Sequence, residues 1–196
     1  MRLTICLGFY FSFYTFVTGQ SLDKTTITKW YSETKSNGII IQNSFPKGGP
    51  YTGLTNKNFN YSYLVFFTRV LNETSNPLEL IINFSADSIA IPYSPDTFVK
   101  LFLPPDTMTL DKQYLFSYGV TELESFDKPT SLQRTINPNE ECLFYVVAIF
   151  YQTRATAQNQ RRGGNRAELV LEGQDLFYRM PPQINSLSCG HVISKK

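Results

Sequence analysis

Apolar and polar residues alternate with a period of two along residues 78–85, where Leu78, Leu80, Ile82 and Phe84 interleave with Glu79, Ile81, Asn83 and Ser85. That period marks a β-strand with one buried face. Residues 61–71 carry a matching set, with Leu64, Phe66, Thr68 and Val70 on one face and Arg69 on the other. Between them, Asn72-Glu73-Thr74-Ser75-Asn76-Pro77 is a cluster of turn formers. The pair is expected to form an antiparallel hairpin with Val70 facing Leu78, Phe66 facing Ile82, and Arg69 facing Glu79 on the outer side. A one-residue slip would set Glu79 against Val70, so the pattern selects that register.

Further strands are expected at 38–42, 98–103, 114–118, 142–152, 167–172 and 175–180. Residues 142–152 are too continuously apolar for a half-exposed strand and read as a buried central one. Prolines at 92, 95, 104 and 105 bracket 98–103 and place it at a sheet edge. Gly173-Gln174 reads as a bulge or kink. Residues 121–138 are polar and read as a loop, with room for one helical turn. Seven or eight short strands with loops between them predict an all-β, antiparallel, immunoglobulin-like β-sandwich domain over 38–182. A small closed β-barrel is the alternative, because strand counting does not exclude closure.

The two ends read differently. In residues 1–19 Arg2 is the only charge, 3–17 is an apolar and small-polar run, and Val17-Thr18-Gly19 offers small residues for cleavage. This is the layout of a secretory signal peptide, too short to span a bilayer. Residues 20–37 are polar and aperiodic, a leader with Trp30 and Tyr31 as anchors. Residues 183–196 read as a C-terminal tail tethered mainly by Cys189. The chain is thus expected to be exported, secreted or periplasmic, with no stable transmembrane segment after cleavage.

Export changes how the 196-residue composition is read. Of three cysteines, Cys6 leaves with the signal, and Cys142 with Cys189 is expected as a disulfide worth about 4 kcal/mol. A reactive thiol in Cys189-Gly190-His191 is the alternative. Formal net charge is only +2, and losing Arg2 leaves 17 basic against 16 acidic residues. No strong field selects a polyanion, so nucleic acid is not expected as a partner.

Phe67-Thr68-Arg69-Val70-Leu71-Asn72 followed by Pro77-Leu78-Glu79-Leu80 resembles strands of immunoglobulin-like modules of the major-sperm-protein type. Ile136-Asn137-Pro138-Asn139-Glu140 is similar to the turn before a late strand in such modules. Phe45-Pro46-Lys47-Gly48-Gly49-Pro50-Tyr51, Asp106-Thr107-Met108-Thr109-Leu110 and Asp175-Leu176-Phe177-Tyr178 resemble uncharacterised exported proteins of marine Bacteroidetes. The first likeness implies a fold, and neither brings a functional residue with it.

Catalytic chemistry is sparse. His191 is the sole histidine, which disfavours a Ser–His–Asp triad, and two Cys with one His do not fill a four-ligand zinc site. Calcium has no Asp-x-Asp-x-Asp-Gly run to bind it. No cofactor is expected. Glycoside cleavage needs two carboxylates about 5 to 9 Å apart, and Asp87, Asp96, Asp106, Asp111, Glu122/Glu124 and Glu140/Glu141 are available.

Two candidate binding features remain. Arg154, Arg161, Arg162 and Arg166 surround Gly163-Gly164 in a long connection that reads as a basic finger or as a solvated hairpin tip. Val65, Phe67 and Ile81 fall on the outer face of the expected hairpin and form a candidate surface patch. Asn60, Asn72 and Asn83 stand in N-glycosylation triplets, with Asn83 poorly placed in mid-strand. The expected function is a non-enzymatic binding or protein-interaction module of the cell envelope or exterior, with an unidentified protein or glycan as ligand. A carboxylate-dependent, carbohydrate-active enzyme is the alternative.

Overall fold

The computed structural model describes residues 28–54, 58–92, 94–153, 166–181 and 184–195. Twelve strands follow one another: β1 (Ser32–Ser36), β2 (Ile39–Asn43), β3 (Lys47–Pro50), β4 (Phe59–Asn72), β5 (Leu78–Phe84), β6 (Ile89–Ile91), β7 (Ser94–Phe102), β8 (Thr130–Ile136), β9 (Glu141–Thr153), β10 (Glu168–Glu172), β11 (Asp175–Met180) and β12 (Ile184–Ser194). One sheet runs β1-β2-β4-β9-β7-β6 with β3 added along β4, and the other runs β10-β11-β12-β5-β8. Every pairing is antiparallel. The described strands divide into two separate sheets, so the molecule is a β-sandwich and not a closed barrel.

The inner faces meet in one apolar core. Phe66, Val70, Val146 and Ala148 of the first sheet pack with Leu80, Ile82, Leu176 and Tyr178 of the second. Two buried asparagines stitch the sheets together. Asn43 on β2 donates Nδ2–H to the Leu169 carbonyl (3.1 Å) and accepts the Leu169 N–H at Oδ1 (2.9 Å). Asn72 donates to the carbonyls of Ile136 and Asn76 (2.9 Å each) and accepts the N–H and hydroxyl of Thr74. With its amide fully used and no exposed surface, Asn72 is not an accessible glycosylation site.

Several expectations need correction here. The segments 61–71 and 78–85 are strands, but they do not pair. β4 lies between β2 and β9, whereas β5 lies between β12 and β8. The Asn72–Pro77 connection is an arch from one sheet to the other. Their matching apolar faces meet through side chains across the core instead of side by side. Arg69 therefore pairs with Glu141, and Glu79 takes Lys195 (3.2 Å) and Gln133.

The expected tail is no tail. Ile184–Ser194 is a central strand between β11 and β5, and His191 stands within it opposite Asp175 and Ile81. Part of the expected leader, Ser32–Ser36, is an edge strand on β2. Thr130–Ile136, read as loop, is the edge strand β8. Residues 98–102 of the expected edge strand 98–103 belong to β7, which pairs on both sides, with β6 as the true edge. Gly173-Gln174 is a two-residue hairpin turn with Glu172 opposite Asp175, and Gly173 supplies the left-handed φ of 68° that such a turn requires. The central β9 matches its expectation.

Cys142 and Cys189 are free thiols in this structure, so the expected disulfide is not formed. Cys142 sits on β9 opposite Val70, two residues from the arch. Cys189 sits on β12 of the other sheet, next to Gly190, which pairs with Ile82 four residues into β5. Packed sheets lie about 10 Å apart, and the two positions are also offset along the strands. Cys189 points its thiol at the Leu176 carbonyl (3.4 Å), and burial pushes that thiol up to about 12.

Candidate interaction surface

The first sheet is apolar on both faces, because β9 reads Phe144-Tyr145-Val146-Val147-Ala148-Ile149-Phe150 without a polar break. Phe66, Val146 and Ala148 serve the inter-sheet core, while Val65, Phe67, Tyr145, Val147 and Ile149 point outward. Irregular chain covers that outer face. Residues 103–129 cross it as two consecutive 3-10 turns, Leu110–Tyr114 and Phe116–Gly119, followed by a third at Glu124–Asp127. Met108, Tyr118 and Val120 are buried there, and Trp30 packs edge-on against Phe67 at 5.3 Å.

This layer removes the candidate patch. Val65 and Phe67 are completely covered, and Ile81 is half-buried on the second sheet. The region expected as a strand at 114–118 is instead a strained turn. Ser117 (φ 46°, ψ 29°), Tyr118 (φ 55°, ψ 23°) and Gly119 (φ 76°) are three successive left-handed residues. Such conformations cost roughly 1–2 kcal/mol for each non-glycine residue, so the surroundings must impose them.

The surroundings do so with buried hydroxyls and one lysine. The Tyr118 ring meets Phe67 edge-to-face at 4.8 Å, and its hydroxyl donates to the Phe45 carbonyl (2.6 Å). Tyr145 donates its hydroxyl to the Tyr118 carbonyl (2.7 Å), and Tyr63 and Ser117 share a hydrogen bond of 2.9 Å. Lys47 Nζ donates to the carbonyls of Gln113 (2.6 Å) and Leu115 (3.0 Å) and lies 4.3 Å from the Tyr118 ring centre. Burial lowers the Lys47 ammonium and raises the Tyr118 hydroxyl. Burial, then the nearby Asp106 and Asp111, push Tyr145 up to about 12.

What this scaffold presents is apolar. Tyr114 is 62% exposed, Leu115 50% and Phe116 75%, on three consecutive residues at the lip of the turn. Phe45, whose carbonyl Tyr118 holds, is 49% exposed on the same support. Its ring packs against Tyr31 at 5.7 Å, and Arg166 lies over Tyr31 at 5.4 Å. Arg166 is exposed, and Arg154, Arg161 and Arg162 lie outside the described residues.

Three of the eight acids considered for sugar cleavage have structural partners. Glu140 accepts the backbone and side-chain N–H groups of Asn137, and Glu141 pairs with Arg69. Asp106 accepts from Thr121 Oγ1 (3.5 Å) and the Glu122 N–H (3.3 Å). Among the described residues no group of three His, Cys, Asp or Glu could hold a metal ion, and no helix is long and apolar enough to cross a membrane. No protein-family model matches the chain, and no curated protein matches it.

Sequence reasoning missed the tip because Tyr114-Leu115-Phe116-Ser117-Tyr118 has strand composition. The available signal was Gly119 directly after it, together with Pro104 and Pro105 upstream, which interrupt strand pairing on both flanks.

Proposed function

We propose that the chain is an exported, non-enzymatic binding module of the cell envelope or exterior that docks through Tyr114, Leu115 and Phe116. The observation that carries this reading is the backbone strain at Ser117 and Tyr118. Hydrogen bonds from buried and partly buried tyrosines and a lysine hold a disfavoured turn whose result is exposed aromatic and aliphatic surface. Solvent alone gives no return for that arrangement, whereas a partner with an apolar pocket does. Export rests on residues 1–19, and a protein ligand suits the mixed leucine and aromatic tip better than a glycan.

The test is photo-crosslinking from position 116. A benzoylphenylalanine in place of Phe116, expressed in the native cell, is expected to give one discrete envelope adduct. The same probe at exposed Thr135 on the opposite sheet serves as control. Equal labelling from both positions would overturn the reading.

A further inference from the structure

A second site lies on the flank of the sandwich, where β8 and β9 part. They are consecutive antiparallel strands joined by residues 137–140, yet β8 pairs only with β5 and β9 only with β4 and β7. β7 covers β9 no further than Phe102 opposite Val147. Beyond that point the chain leaves β9 and crosses to β8, where Thr130 Oγ1 accepts the Leu103 N–H (2.9 Å). The divergence leaves a cleft of about 450 Å³.

Its lining identifies what kind of surface it is. Four successive β9 residues, Cys142 to Tyr145, and three successive β8 residues, Thr130 to Leu132, border it. Successive strand residues point to opposite faces, so a cavity touching all of them lies against strand edges. The direction of the main-chain groups follows from the ladders. Phe67 bonds toward β2, its carbonyl accepting from the Ser44 N–H and its N–H donating to Ser44 Oγ. Its β9 partner Tyr145 is therefore in a non-hydrogen-bonded pair with β4, and the main chain of Tyr145 and Leu143 turns toward the cleft. On β12, the Val192 N–H goes to Gln174, so Leu80 bonds toward Arg134 and the main chain of Ser131 and Gln133 turns outward.

We infer that this cleft binds an extended peptide bearing a carboxylate, which adds as a strand along the β9 edge. Unpaired N–H and C=O groups spaced along an edge are complementary to a peptide backbone and to little else. The outward main-chain groups of β8 border the same cleft, so a strand added to β9 also meets the Ser131 N–H. Charge selects the carboxylate. Arg134 lines the cleft, is exposed, and pairs with no carboxylate among the described residues. Asp106 at the same mouth keeps its negative charge, with the Thr121 hydroxyl and the Glu122 N–H as partners, so the peptide carboxylate belongs on the Arg134 side of the cleft.

This inference stands apart from the docking tip, so substitution of Phe116 leaves peptide binding intact. The probe is a set of acetylated, amidated heptapeptides alternating Thr and Val, with one Asp placed at each position in turn. Added at about 1 mM, the weak end of specific recognition, at least one is expected to shift the amides of Ser131, Leu143 and Tyr145 and slow their hydrogen exchange. Three controls decide the mode. Backbone N-methylation is expected to abolish binding, and Arg134→Gln to weaken the Asp peptide about tenfold but not its Asn counterpart. Ser131→Pro removes an outward N–H without touching the β5 ladder and is expected to lose binding while the protein still folds. The inference fails if no peptide shifts these amides, if N-methylated peptides bind equally, or if Arg134→Gln changes nothing. It fails equally if the edges protect each other in a concentration-dependent dimer without peptide.

Discussion

Both faces of the seven-stranded sheet carry a buried apolar cluster, and the two are closed in opposite ways. Its inner face meets a second sheet, and the contact is almost wholly aliphatic and aromatic. Its outer face meets irregular chain held by Tyr63, Tyr118, Tyr145 and Lys47, each through a specific hydrogen bond. Regular strands satisfy their own backbone, so sheet-on-sheet packing needs only shape and apolar area. A non-repeating cover must have its backbone groups satisfied one at a time. That requirement is also what allows it to hold a strained turn and to present Phe116 to solvent.

The contrast is broken most severely from the inside. Phe66→Ala empties the inter-sheet core and is expected to cost about 3–5 kcal/mol in denaturant unfolding, with all strands lost together. Tyr118→Ala removes the anchor of the outer cover and is expected to cost about 2 kcal/mol, because the cover lifts instead of leaving a sealed cavity. Hydrogen exchange separates the two: protection falls at residues 110–120 while the β5–β12 ladder keeps its own. Equal loss in both places would show that the cover and the sandwich unfold as one unit.

Tyr145→Phe deletes only the hydroxyl that holds the Tyr118 carbonyl, and about 1 kcal/mol is expected. It also carries a pH signature. The fold holds the neutral hydroxyl and raises it from 10.0 to about 12. Its contribution is therefore full below pH 10 and is lost as pH climbs toward 12, where the unfolded chain ionises before the folded one. The variant should flatten that part of the stability profile. Reductant should have the smallest effect. With Cys142 and Cys189 in different sheets, it is expected to leave the unfolding midpoint unchanged, and buried Cys189 should react only in denaturant whereas Cys142, partly exposed at the flank, should react in the folded protein.

The same contrast explains what was legible in the sequence. Period-two alternation located β4 and β5, and apolar continuity located β9, because side-chain periodicity reports burial. It does not report which strand is the neighbour. Val70 and Leu78 face one core whether their strands pair laterally or face each other, so the arch at Asn72 was read as a hairpin. Gly173-Gln174 between Glu172 and Asp175 is short enough to force a hairpin, whereas Asn72 to Pro77 is long enough to cross between sheets. β12 was hidden by Gly190, which looks like a break. A Cβ there would stand 1.9 Å from the Ile81 carbonyl oxygen, so the glycine permits close strand contact. Burial of Val65 and Phe67 under residues 103–129 could not be read from periodicity, because that cover has none. The cover is where the candidate site lies.

The central claim is that the outer cover exists to present Tyr114, Leu115 and Phe116 to a partner. The most direct test replaces all three by Ser and compares binding to native cell envelopes with the unfolding midpoint of the same protein. The account predicts a protein that still folds, with a slightly lowered midpoint because Leu115 is only half exposed and lies against Gly119, and binding reduced at least about tenfold. Undiminished binding by a folded triple variant would contradict it.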